Sequence, residues 1–202
     1  MLNEITALLD ENLKRVENLV SIYGPATPGR RKVHDTDLLR AALVLLHASL
    51  EDYLRSLLEW KIETFDKDTL NQYGFPTGKK RPPSKVTLGE LSEYKGKSVD
   101  ELISEAVQFH LENFQSFNDL GEVKQALKQC GIDHATVDAR NYGDLPEMIS
   151  RRHNIVHKAD RNEVVGGQGN HRTKSIGSAT VRNYLQSVKG LRDFVSNELQ
   201  QV

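Results

Sequence analysis

Apolar residues recur along most of this chain at three- and four-residue steps, the period of an amphipathic helix rather than the alternation of a strand. Leu2, Ile5, Leu9, Leu13, Val16, Leu19 and Val20 fall on one stripe and predict a helix over Leu2 to Ile22. The stripe stops at Tyr23-Gly24-Pro25, because glycine leaves a helix readily and proline withholds a backbone donor. After a loop through Pro28-Gly29-Arg30-Arg31-Lys32, the strongest pattern runs from Thr36 to Phe65. There Leu38, Leu39, Ala42, Leu43, Leu46, Leu50, Tyr53, Leu54, Leu57 and Leu58 form a wide apolar face. At ~1.5 Å per residue this helix is roughly 45 Å long, a length suited to the spine of a domain.

Beyond it the text changes character. Gly74-Phe75-Pro76-Thr77-Gly78-Lys79-Lys80-Arg81-Pro82-Pro83 holds neither a regular helix nor a central strand, so residues 66–97 are expected to be an exposed connector. Ser98-Val99-Asp100-Glu101 has the form of a capping box ahead of Leu102, Ile103, Ala106, Val107 and Phe109. A shorter helix is predicted from Asp119 to Gln129, ending at Gly131. Asp144 offers an N-cap for a helix from Leu145 to about Ala159, with Pro146 tolerated in its first turn. The polar, Gly-rich stretch of residues 164–177 is expected to be mobile. A last helix follows Ser178, striped by Val181, Leu185, Val188, Leu191, Val195 and Leu199. No alternating strand of useful length and no internal repeat is visible, so the expected class is all-α.

Composition narrows this picture. A chain of 202 residues supports one substantial core, and at that size roughly 70% of the unfolded surface is buried. With 38% hydrophobic and 27% charged residues the pattern is that of a folded chain rather than a disordered one. The longest apolar run, Ala41 to Leu46, is far too short to cross a bilayer, and Met1-Leu2-Asn3-Glu4 carries no basic or apolar leader pattern. The lone Cys130 has no internal disulfide partner, so a cytoplasmic protein with no membrane contact is expected. The formal net charge of −1 gives no global attraction to nucleic acid. From Arg140 onward, however, ten Lys/Arg stand against six Asp/Glu, a local positive excess that is either a field for phosphates or an ordinarily solvated charged surface.

The chemistry concentrates in Arg151-Arg152-His153-Asn154-Ile155-Val156-His157, inside the helix that follows Asp144. Helix propensity does not explain two arginines and two histidines so close together. Histidine titrates near neutral pH, and arginine presents a planar, permanently charged fork to phosphate oxygens, so the set suits cleavage of a phosphodiester. Arg152 and His157 are five residues apart and point roughly 140° away from each other on an ideal helix. Two copies facing across a symmetry axis would gather such a pair, which makes a homodimer part of the reading. The competing reading is a helix-face pair that holds a dimer or an inward carboxylate. His47, Glu51 and Arg55, four apart on the spine helix, form either a surface salt-bridge ladder or, with Glu51 turned inward, a counter-charge for this segment. His153 and His157 share the spacing of metal ligands, but no glutamate follows His153 and no cysteine cluster completes a site, so no metal or cofactor is expected. Gly166-Gly167-Gln168-Gly169 lacks the strand and the Gly-Lys-Ser/Thr ending of a phosphate loop, and Cys130 has no catalytic context.

Arg152-His153-Asn154-Ile155-Val156-His157 matches the Arg-x4-His signature of HEPN domains, and Ser150 to Arg161 resembles the RiboL-PSP-HEPN subgroup. Ala48-Ser49-Leu50-Glu51-Asp52-Tyr53-Leu54 is similar to the helix that such domains place before their motif helix, so the resemblance spans Thr36 to Val202. It implies a single HEPN-like helical bundle over residues 1–202, with residues 1–35 as an N-terminal helix and loop. It also implies a homodimer acting on RNA as a metal-independent endoribonuclease, in the setting of a toxin or phage-defence effector. Carried onto this chain, Arg152 and His157 are the principal catalytic pair and His153 fills the polar position. Arg151, Asn154, Glu51 and Lys158 are RNA-binding or accessory candidates. Some relatives are toxins restrained by an antitoxin that modifies a tyrosine two residues after the motif histidine; Ala159 stands there in this chain, while a regulatory partner of another kind stays open. The alternative is a non-catalytic HEPN-type module that binds RNA or protein through the same cleft.

Overall fold

The computed structural model describes residues 1–24, 33–75, 86–132, 143–162 and 173–200. Among these, α1 (Leu2–Ile22) and the long α2 (Val33–Lys61) are followed by a 3-10 turn (Ile62–Thr64) and two short helices, α3 (Lys67–Leu70) and α4 (Leu88–Ser92). The order continues with α5 (Val99–Asn113), α6 (Leu120–Gln129), α7 (Leu145–Lys158) and α8 (Ser178–Gln200). Among the described residues the one β-type pairing is an isolated antiparallel bridge between Arg161 and Thr173. The fold is an all-α helical bundle, and no described helix is long and apolar enough to cross a membrane.

The spine helix organises the core as its stripe requires. Leu39, Ala42, Leu43, Leu46, Leu50, Leu57 and Leu58 have no exposed surface, and α2 packs against α1, α5, α6, α7 and α8 in turn. Burying a leucine side chain contributes about 1.5–3 kcal/mol, so this one stripe is a large part of what holds the bundle together. α1 lays Leu9, Leu13 and Val16 onto it, and α8 closes the other side with Val181, Tyr184, Val188, Leu191 and Val195.

Three local expectations change. The connector expected over residues 66–97 carries α3 and α4 at its flanks, while residues 76–85 lie outside the described set. Asp66 accepts the Thr69 amide, and Thr87 forms a capping box with Glu90, which suffices for one turn each. Asp144 precedes α7 but its side chain does not cap it, because its ψ of 15° is not the extended conformation that aims a capping oxygen at the first turn. Of the stretch expected to be mobile, residues 164–172 lie outside the described set, but Thr173 to Gly177 is tied down. Lys174 donates its amide to the Asp160 carbonyl and Ile176 is buried.

Candidate functional site

α7 buries Leu145, Met148 and Ile149 and packs Ile155 against the core. At ~100° per residue, those four lie within roughly 60° of Arg152 around the helix, so Arg152 points into the seam between α7 and α2. Its side chain is 19% exposed there. His153 and His157 lie roughly 100° and 140° further round. Both are exposed, with ring centroids 4.5 Å apart. The chain therefore sends Arg152 inward and the histidines outward, as the five-residue spacing requires. Val156, 50% exposed, falls between them.

A guanidinium in a helix seam needs acceptors. Arg152 donates from Nη1 to Asn118 Oδ1 at 2.9 Å, and its Nη2 lies 3.9 Å from Glu51 Oε2. The same Glu51 oxygen is 4.0 Å from Arg55 Nη2, and Glu51 Oε1 is 3.8 Å from His47 Nδ1. One carboxylate thus faces two guanidinium groups, and Arg55 is also within electrostatic reach of Glu59. The His47-Glu51-Arg55 line is not a surface ladder: His47 is fully buried and the Glu51 side chain is 13% exposed. Of the two readings open from sequence, the inward Glu51 is the one realised. His47 Nε2 meets the Phe117 carbonyl at 3.1 Å; since a carbonyl only accepts, the proton sits on Nε2 and Nδ1 is left bare. Burial lowers the His47 pKa below 6.5, opposed by Glu51 and reinforced by Arg152, so the imidazole is neutral at pH 7.

Arg151 takes a different path from its neighbour. Its Nη2 donates to Asp160 Oδ2 at 2.8 Å and to the carbonyls of Lys174 and Ser175 at 3.2 and 2.9 Å. Arg40 of the spine donates from Nε to the same Asp160 oxygen at 2.9 Å and from Nη2 to the Lys174 carbonyl at 2.7 Å. Asp160 is fully buried, and its other oxygen has no hydrogen-bond partner among the described residues. This knot fastens the end of α7 to α2 and to the segment before α8. Arg151 is held by that contact rather than displayed. Asn154 contributes its carbonyl, which accepts the amides of Ala159 and Asp160, while its side-chain amide donates to the Ser150 carbonyl. Lys158 is exposed at the end of α7.

The structure thus brings Arg152 and Glu51 together and separates both from His153, His157 and Lys158. Four participants escaped the sequence reading. Arg40 was hidden in an apolar run, and Asp160 in the flank of the motif. His47 is named in the sequence only as part of the Glu51 line, without its buried bond to Phe117, and Asn118 sits in a loop. A hint was available for Arg40 and His47: each interrupts a stripe of leucines that is otherwise apolar, and a buried cation or imidazole needs a partner elsewhere in the chain. Among the described residues no three His, Cys, Asp or Glu side chains converge as a metal site.

Compared with known families, the chain matches the family model described as RiboL-PSP-HEPN over residues 9–201, a span that contains every residue of both clusters. No curated protein and no solved structure matches it.

Proposed function

The chain belongs to the RiboL-PSP-HEPN family, and from that membership together with the geometry of α7 we propose that it is a metal-independent endoribonuclease working as a homodimer. The observation that carries the reading is the split on one helix. A guanidinium is held at the seam by one side-chain amide, with its nearest carboxylate beyond hydrogen-bond distance, and two imidazoles are displayed on the adjoining surface. Two such surfaces apposed across a twofold axis, with Val156 as an apolar contact, put arginine and histidine from both copies around one phosphate. In the reaction, histidine takes the proton of the RNA 2′-hydroxyl as that oxygen attacks phosphorus. The P–O5′ bond breaks, a protonated imidazole delivers a proton to the departing 5′-oxygen, and the products are a 2′,3′-cyclic phosphate and a 5′-hydroxyl. Arg152 stabilises the charge that grows on the non-bridging oxygens. His157 and His153 are the acid–base pair, and Arg151, Asn154 and Glu51 position the helix and Arg152. Lys158 adds attraction for the backbone. In a cell, such an activity suits a toxin or phage-defence effector restrained by a regulatory partner.

The test is incubation of end-labelled RNA with the protein in EDTA, alongside His157→Ala, Arg152→Ala and an all-deoxy substrate. Cleavage that survives EDTA, yields cyclic phosphate ends, spares the deoxy strand and disappears in both variants is the expected result. Loss of cleavage on chelation, or its persistence in His157→Ala, defeats the mechanism.

A second reading rests on the contacts of Arg152 itself. Its bond to Asn118 and its proximity to Glu51 are also what a structural pin would show. On that reading the chain is a non-catalytic dimeric module that binds RNA or protein, and RNA is retained on a filter but never cut.

A further inference from the structure

Among the described residues Arg152 has one directional contact. Glu51 at 3.9 Å supplies charge without hydrogen-bond geometry, whereas Asn118 Oδ1 at 2.9 Å is a true acceptor. The orientation of the guanidinium plane is therefore set from the segment between α5 and α6, not from the spine. We propose that Asn118 is a positioning residue for Arg152, and that His47 acts through it by fixing the Phe117–Asn118 step; the proposal rests on the endoribonuclease reading above.

The segment is built for this. The Phe117 ring is fully buried and lies 5.6 Å beneath the Arg55 guanidinium, which also donates to the Leu111 and Gln115 carbonyls at 3.0 and 3.1 Å. The Phe117 carbonyl takes the His47 Nε2 proton, and the Asn118 amide donates to Glu122 Oε2 at 2.6 Å. Two residues of the spine and one of α6 thus pin an irregular stretch on both sides of Asn118. His47 has no packing reason to be polar at a fully buried position among leucines, and only one of its two ring nitrogens finds a hydrogen bond among the described residues. Its single bond goes to the residue before Asn118. The chemistry of the acceptor also fits. A side-chain amide fixes direction without cancelling the positive charge, which a second carboxylate would do, and an arginine that receives a phosphate must be oriented beforehand while keeping its charge.

The experiment uses the full chain. Guanidinium 15N NMR, with the Arg152 signal assigned by its loss in Arg152→Lys, reports whether the group is immobilised. Asn118 is exposed, so its replacement leaves the core intact. The expected result is an ordered Arg152 signal in wild type and in Asn118→Asp, and an averaged one in Asn118→Ala. His47→Leu, which cannot donate to the Phe117 carbonyl, should shift the signal in the same sense. On labelled RNA, Asn118→Ala should lower kcat by roughly tenfold or more with KM within about twofold, the pattern of an interaction used in the transition state. An Arg152 signal unchanged in Asn118→Ala overturns the proposal, as does an averaged signal with undiminished kcat. If wild type cuts no RNA, the endoribonuclease reading fails on its own, and the NMR comparison still decides whether Asn118 orients Arg152.

Discussion

Replacing Asp160 tests how the motif helix is held. Its carboxylate is fully buried and one oxygen receives both Arg40 and Arg151, while the Arg40 side chain is only 9% exposed. Removing one member of a buried ion pair costs about 3–5 kcal/mol, because the other charge is stranded. Arg40 keeps Thr36, the Lys174 carbonyl and Asp37, the last of these 62% exposed, so the lower end applies. Asp160→Ala should therefore cost about 3 kcal/mol. Asp160→Asn keeps an acceptor but loses the charge, which roughly halves such a bond, for a cost of about 1.5 kcal/mol. Backbone conformation supplies an internal control. Asp160 has φ of 54°, a left-handed conformation that costs alanine roughly 1 kcal/mol and glycine nothing. Asp160→Gly should then fall between the other two, at about 2 kcal/mol. Urea unfolding followed by helical circular dichroism, at one fixed protein concentration, gives the three values; self-association would otherwise shift them. Glycine proving worse than alanine would refute the backbone argument. All three falling within about 0.5 kcal/mol of wild type would refute the buried-pair argument, as would zero coupling with Arg40→Met in a double-mutant cycle.

The other expectations are simpler. Ala159 ends α7 at φ 49° and is exposed, so Ala159→Gly should raise stability by about 0.5–1 kcal/mol in the same urea assay. The His47 pKa is lowered by burial, so the unfolded chain takes up this proton first as pH falls. Stability from this group is complete above 6.5 and lost below it, and wild type should weaken relative to His47→Gln between pH 7.5 and 5.5; parallel profiles would contradict this. Burial pushes the Cys130 thiol up to about 12, so alkylation by iodoacetamide at pH 8 should proceed only at the rate of unfolding, and immediate labelling of the native protein would contradict that burial.

How much of this was legible in the sequence depends on the range of the interaction. α1, α2, α5, α6 and α8 follow from stripes and caps, because the period of a helix and the first-turn bonds of Ser98 or Asp119 are local. α4 was equally local, since Thr87-Leu88-Gly89-Glu90 repeats the pattern of Ser98 to Glu101, but the Pro/Gly text before it concealed the signal. The Arg40–Asp160 contact spans 120 positions and the Arg152–Asn118 contact 34, and no periodicity encodes which distant acceptor a buried arginine will meet. Sequence gave the cations of α7 and left their partners open.

Those partners explain why two adjacent arginines have different surroundings. On a helix they differ by roughly 100°, so if one faces the seam with the spine the other must face its flank. Arg151, on the flank, meets a buried carboxylate and two carbonyls and becomes part of the scaffold. Arg152 stands in the middle of an arc otherwise filled by Leu145, Met148, Ile149 and Ile155, where a charge is costly unless something answers it. A hydrogen-bonded carboxylate of its own would have answered it completely. Glu51 is instead divided between Arg55 and Arg152, and a neutral amide completes the set. The arginine is thereby tolerated in the seam without a hydrogen-bonded carboxylate of its own. That combination requires a spine helix carrying one shared glutamate a turn from a second arginine.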